Sequence, residues 1–333
     1  MKKMAPCFFL GVCALTLQEF YELAIQSGIE ADPRGRAAVE KELTETRKAF
    51  DELKSDEKET FDAERLKNPY ADSRILNGNP DRNVKKILVG IDMETPEMLL
   101  ADRLNQKGAG IDLVLAHHPE GRAYANFYEV MKMQADILNR FGVPINVAES
   151  QLSSRMKEVE RSLLPVNHTR PVDAARLLDI PYICLHTPAD NMVSSYLQAR
   201  VDRESPSRLK DVVKLLKDIP EYLEAIRNNA GPRILIGSDD QRTGKIFVDM
   251  TGGTSGSKET IERLSQSGVG TIVGMHMSED HRKEAERHHL HVVIAGHISS
   301  DSLGLNLLLD AIEKRTPLQV LECSGFRRVK RLT

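Results

Sequence analysis

Residues 111–119, Ile-Asp-Leu-Val-Leu-Ala-His-His-Pro, end an apolar run in two adjacent imidazoles. Two later apolar runs end in a similar way. Tyr182-Ile-Cys-Leu185 leads into His186, with Asp190 four residues on, and His291-Val-Val-Ile-Ala295 leads into Gly296-His297, with Asp301 four residues on. Neutral imidazole binds first-row divalent metals through a ring nitrogen, and a carboxylate can bridge two of them. His117, His118, His186, Asp190, His297 and Asp301 are therefore candidate ligands for two divalent ions (Zn, Fe, Mn, Co or Ni). Two metals about 3.5–4 Å apart activate water and clamp a phosphoryl or carbonyl oxygen, which is the chemistry of hydrolysis. On a helical turn, the i,i+4 spacing of each later pair sets both side chains on one face.

Each of these residues also has a plainer reading. A single histidine at a strand end is usually structural. Asp190 or Asp301, taken singly, reads better as a helix cap than as a ligand. Recurrence shifts the balance, because four of the ten histidines adjoin a strand end at these motifs. His276 also ends an apolar run and reads as lining the same crevice without ligating. His168, His281, His288, His289 and His291 read as loop, surface or strand-entry residues. Gly252-Gly-Thr-Ser-Gly256 follows a strand and could turn backbone N–H groups toward a phosphate. It lacks the Gly-Lys-Ser/Thr of a nucleotide-triphosphate loop, and its plain reading is a tight turn.

The elements that must position these groups follow from periodicity. Lys86–Ile91, a helix over 96–107 and Ile111–Ala116 read as a strand–helix–strand unit. Lys245–Met250, a helix over 257–267 and Thr271–Val273 read as a second. Lys86 and His117 stand 31 residues apart, as do Lys245 and His276. This weak internal repeat predicts an α/β fold of two related α/β lobes around a central crevice, with the site in that crevice. Between them the pattern predicts helices over 126–140, 151–164, 171–178, 191–201 and 208–229, the last punctuated by Pro220. A short strand is expected over Pro144–Val147, and a final helix over 303–313. Ahead of the lobes, Thr16-Leu-Gln-Glu19 is a capping box for a helix to about Gln26. Asp32-Pro-Arg-Gly35 opens a second helix with Pro at its first position. Residues 36–66 read as an extra, solvated helical arm rich in i,i+4 charge pairs, and 67–84 as loop. The expected organisation is arm and loop over 1–83, a first lobe with a helical insert over 84–203, and a second lobe over 204–333.

Composition narrows the partners. The 333 residues, 41% hydrophobic and 29% charged, suit an ordinary globular chain with a large core. A net charge of −3, no tryptophan and 5% aromatic residues give no case for nucleic acid or an anionic membrane. The four cysteines are scattered, without a CxxC pair, which suits a reducing cytoplasm. Lys2, Lys3 and the run Ala5–Leu15 outline a signal peptide, but no small-x-small site follows, and a packed N-terminal segment is the expectation.

The motifs Asp112-Leu-Val-Leu-Ala-His-His-Pro119, His186-Thr-Pro-Ala-Asp190 and Ala295-Gly-His297, with an acid four residues later, occur in an order that resembles the NIF-three-like family, dinuclear-metal proteins often labelled GTP cyclohydrolase I type 2. The resemblance covers roughly residues 84–315. It implies a two-lobed α/β fold, a dinuclear metal centre on the six residues named above and a homo-oligomer, a toroidal hexamer built as a trimer of dimers. The family usually has Glu at the last ligand position, where Asp301 stands here. The function implied is a metal-dependent hydrolase acting on a small-molecule phosphoester or nucleotide-like substrate. The alternative is a non-catalytic metal-binding scaffold that works through an oligomeric ring. No general base stands out, and Glu120 and His276 are the candidate proton carriers.

Overall fold

The computed structural model describes residues 14–331; the stretch with a signal-peptide outline lies almost wholly outside them. Two sheets carry the architecture. In the first, the strand order is Gln319–Glu322, Lys86–Gly90, Leu113–Ala116, Tyr182–Cys184, Arg74–Asn77, parallel except for the last pairing. In the second the order is Arg233–Ile236, His291–Ile294, Val269–Gly274, Lys245–Asp249, with only the first pairing antiparallel. The central strands are covered on both faces, which is why they read as continuous apolar runs such as Leu113-Val-Leu-Ala116. The strand–helix–strand repeat is present. Thr95–Gln106 connects the first pair of parallel strands, and Thr260–Gln266 the second. The sheet of the first lobe takes an edge strand from before residue 84 and another from after residue 203.

Two long helices, Thr187–Glu204 and His297–Glu313, are packed together between the sheets. Ala189, Leu305, Leu308, Leu309 and Ile312 join a core with Ile87, Val89, Leu113, Leu115 and Ile183 of the first sheet. Val193, Leu197, Val201 and Leu303 join a core with Ile246, Val248, Val273 and Val293 of the second. A helix apolar on opposite sides is the expected sequence for a position buried by two layers.

Local signals account for most boundaries, and for the corrections. The Thr16 hydroxyl accepts from the Glu19 amide at 3.2 Å and Glu19 accepts from the Thr16 amide at 2.8 Å. The helix they cap runs Leu17–Glu30, longer than expected, with Leu17, Phe20 and Ala24 buried in the first lobe's core. The next helix starts at Arg36 rather than at Pro33, because its N-cap Gly35 has φ of 87°, outside the helical region, while Asp32 holds the Arg34 guanidinium in the preceding turn at 2.9 Å. That helix is largely solvated, with Val39 its buried residue. The expected strand at Pro144–Val147 is instead the start of the helix Ile145–Leu163. Pro144 sits at its N-cap, and Ala148, Leu152, Val159 and Leu163 form its buried stripe. The stretch 67–84 contains the strand Arg74–Asn77, so it is more than loop. Among the described residues no helix is long and apolar enough to cross a membrane.

Candidate metal centre

Both sheets turn the carboxyl ends of their parallel strands toward one crevice. Leu113–Ala116 delivers His117 and His118, Tyr182–Cys184 delivers His186, and His291–Ile294 delivers His297. The two aspartates come from helices that begin earlier than the periodicity suggested. His186 is the N-cap of Thr187–Glu204, and Gly296, with φ of 115°, is the N-cap of His297–Glu313. Asp190 and Asp301 lie inside those helices, so the helix-cap reading of both is corrected. Buried polar residues, Thr187 and Asp190 in one helix and Ser299, Ser300 and Asp301 in the other, interrupt the apolar period and hide the first turns.

All six residues meet. Three overlapping sets bring one donor atom each within 4.8 Å: His117 with His118 and His186, His118 with His297 and Asp301, and His117 with Asp190 and Asp301. Asp301 is central. Its Oδ1 lies 3.5 Å from His117 Nε2, while its Oδ2 lies 3.6 Å from His118 Nε2 and 3.6 Å from His297 Nε2. Asp190 Oδ1 lies 3.4 Å from His117 Nε2. These separations are too long for good hydrogen bonds. Two donors each about 2.1 Å from one tetrahedral ion stand roughly 3.4 Å apart, so the spacing fits shared coordination.

The orphaned atoms point the same way. Both ring nitrogens of His117, Asp190 Oδ1 and both oxygens of Asp301 are buried without a hydrogen-bond partner. These are five of the seven such side-chain atoms among the described residues. Buried polar groups are ordinarily satisfied, so a cluster of unsatisfied nitrogens and carboxylate oxygens in one place fits a cation.

Charge is tuned within the cluster. Burial alone would lift the Asp301 carboxyl, but His117, His118 and His297 hold it well below the usual carboxylate range. Burial pulls His117 down, and Asp301 and Asp190 outweigh it, leaving its pKa up at about 10. His297 is pushed below its ordinary value, first by burial and then by the neighbouring imidazoles, despite Asp301. The helix N-termini carrying both aspartates place positive dipole ends at the crevice, which favours their ionised forms.

The centre is closed on one side and open on the other. His117, Asp190 and Asp301 are buried, whereas His297 keeps 41% of its side chain exposed. His118, His186 and His297 border a cavity of about 440 Å³, which Glu120, Phe127 and Arg170 also line. Burial, then Glu94 and Asp92, raise the Glu120 carboxyl to about 7. His276 lies at this cavity with its ring edge-on to His297, 4.9 Å between centroids. A larger cavity of about 1050 Å³ borders the open edge of Lys245–Asp249 and contains none of the six residues. The Gly252–Gly256 turn is held through its carbonyls, with the Gln134 side-chain amide donating to Gly252 O at 2.6 Å and Thr254 O at 2.7 Å.

Two carboxylates escaped the sequence reading. Asp92 Oδ1 pairs with His118 Nδ1 at 2.6 Å, and Asp72 Oδ2 accepts from His186 Nδ1 at 2.8 Å. Asp92 follows the strand Lys86–Gly90 at its carboxyl end, so the rule that singled out His117 also reaches it. Asp72 lies among turn-forming residues and carries no such signal.

No family model matches the chain, and no curated protein matches it in sequence. Among solved structures, a NIF3 superfamily protein from Sphaerobacter thermophilus aligns with a TM-score of 0.71 at 24% identity, over 94% of this chain and 99% of that one. Reduced HcgD from Methanocaldococcus jannaschii aligns with a TM-score of 0.47 at 16% identity, over 75% of this chain and 89% of its own. The first alignment shows that the chain has the NIF3 superfamily fold, and the expected two-lobed α/β architecture is the one found.

Proposed function

We propose that this chain is a dinuclear metal-dependent hydrolase of a phosphoester or nucleotide-like substrate. The carrying observation is the Asp301 carboxylate, whose two oxygens face different histidines. That arrangement suits a bridging ligand, with His117 and Asp190 on its closed side and His118, His186 and His297 toward the cavity. Two divalent ions held there would supply Lewis acidity and water activation. The chain's own groups would do the rest. Arg170 offers a cation to an anionic substrate group at the cavity wall. Tyr124 and Phe127, stacked at 6.4 Å between centroids, offer an aromatic surface beside it. Glu120, raised to about 7, is suited to accept and return a proton near neutral pH. Assembly as a hexameric ring and a cytoplasmic location belong to the same proposal. They rest on the sequence resemblance and on the free thiols of Cys184 and Cys323.

Elemental analysis of purified protein beside His118→Ala and Asp301→Ala tests the reading, followed by a screen of phosphoesters and nucleotides. About two equivalents of metal, lowered in both variants, with turnover lost in His118→Ala, is the expected result. Stoichiometric metal without turnover on any substrate supports the scaffold alternative. No uptake of Zn, Fe, Mn, Co or Ni refutes the metal centre.

A further inference from the structure

We infer that Asp72 is a positioning residue for the metal centre, holding His186 in the one tautomer and orientation that presents Nε2 to a metal. The inference rests on the metal-centre reading and adds a residue that the sequence pattern does not mark.

Asp72 is fully buried, and its oxygens accept from His186 and Thr187 on one side and from its neighbour Ser73 on the other. Oδ2 accepts from His186 Nδ1 at 2.8 Å and from the Thr187 hydroxyl at 2.6 Å, and Oδ1 accepts from the Ser73 hydroxyl at 3.1 Å. The Ser73 oxygen in turn accepts from the His186 backbone amide at 3.0 Å. The dipeptide Asp72-Ser73 thus grips both the ring and the main chain of His186. An imidazole that donates from Nδ1 to a carboxylate keeps its Nε2 lone pair free, which is what ligation requires.

The grip is itself anchored by the N-terminal arm. The Ser73 carbonyl accepts from the Tyr21 hydroxyl at 3.0 Å, the Asn68 amide at 2.9 Å and Arg74 Nη1 at 2.7 Å. Arg74, fully buried, also pairs with Asp62 at 2.8 Å. None of the other three histidines of the cluster has an equivalent. His117 has no hydrogen-bond partner on either ring nitrogen, and the Asp92 partner of His118 keeps 54% of its side chain exposed. His297 makes its carboxylate approach through Asp301, which is shared with two other rings.

Cobalt(II) alone is the probe, titrated into metal-free full-length protein against a competing chelator while its visible d–d absorption is followed. Asp72→Asn is expected to weaken binding about tenfold and Asp72→Ala up to about 100-fold, with an altered d–d spectrum. As a control outside this network, Thr271→Val removes a buried hydroxyl that donates to the Thr243 carbonyl at 2.6 Å, and is expected to lower thermal stability while leaving cobalt affinity within about twofold. Wild-type protein that binds cobalt, with both Asp72 variants matching its affinity and spectrum, overturns this inference alone. Wild-type protein that takes up no cobalt overturns the metal-centre reading beneath it. Should the Asp72 variants fail to fold, histidine nitrogen-15 NMR of zinc-loaded wild type decides, with His186→Gln assigning the ring. A proton on Nδ1 of His186 supports the inference, and a proton on Nε2 refutes it.

Discussion

Gly304 sits one turn beyond Asp301, in the helix His297–Glu313, where that helix crosses Thr187–Glu204. A methyl group added at Gly304 would lie 2.9 Å from the carbonyl carbon of Ala189 and closer still to its oxygen. Ordinary contact begins near 3.4 Å, so Gly304→Ala must part the helices by roughly 0.5–1 Å. Ala189 adjoins Asp190, so the parting acts directly on the two carboxylates that flank His117. Metal sites tolerate about 0.2 Å of error in donor position, well below that shift. Alanine would favour the helix over glycine by about 1 kcal/mol, and overpacking costs about 1–3 kcal/mol. Net destabilisation is therefore modest, about 0–2 kcal/mol by difference, whereas metal affinity should fall at least tenfold. Chelator competition on folded protein, with urea unfolding of the metal-free form alongside, separates the two effects. Gly304→Ala protein that retains wild-type affinity would show that helix separation does not set the centre's geometry.

Two further outcomes follow from buried charge. With its pKa raised to about 10, His117 keeps its proton in the metal-free chain at pH 8, and metal must expel it. Calorimetry in buffers of different ionisation enthalpy should detect about one proton released at pH 8, and apparent affinity should climb roughly tenfold per pH unit toward pH 10; no release refutes the assignment. The sign for stability is opposite: in metal-free protein this contribution is fully present below 6.5 and is lost as pH rises through about 10. Separately, Arg74→Met removes the partner of Asp62 and the donor to the Tyr70 and Ser73 carbonyls. It should cost about 3 kcal/mol in urea unfolding, and a loss under about 1 kcal/mol would show that the buried guanidinium is dispensable.

What was legible in the sequence was the part that burial writes into apolar pattern. Strands such as Lys86–Gly90 and Leu113–Ala116 are covered on both faces and show as unbroken runs, and their carboxyl ends led to all four histidines that the structure brings together. Less legible were elements whose place is set by polar contacts. Arg74–Asn77 is a four-residue edge strand that opens with a buried arginine, and Gln319–Glu322 is a half-exposed edge strand after Pro317. Both were missed because an edge strand needs no continuous apolar run. Asp72 went unseen with the first of these, since its role depends on a partner 114 residues away. The early starts of Thr187–Glu204 and His297–Glu313 were hidden for a related reason. In their first turns Thr187, Asp190, Ser299, Ser300 and Asp301 are buried polar residues, so an apolar period does not mark those turns.

The aspartate at position 301 then becomes interpretable. The family that the motifs resemble usually carries glutamate there, one methylene longer, and a shorter side chain must be brought nearer to touch the same histidines. The close crossing at Gly304 sets how near the helix of Asp301 lies to that of Asp190, which faces the same His117 ring. Reach and helix separation should therefore compensate. Asp301→Glu alone adds a methylene to a fully buried position and should weaken metal binding through overpacking. Combined with Gly304→Ala, which opens the space, the longer carboxylate should recover affinity relative to either single variant. A double-mutant cycle on cobalt affinity measures this coupling. A favourable interaction of about 1 kcal/mol or more supports compensation, and simple additivity would mean that the glycine crossing and the shorter acid arose for unrelated reasons.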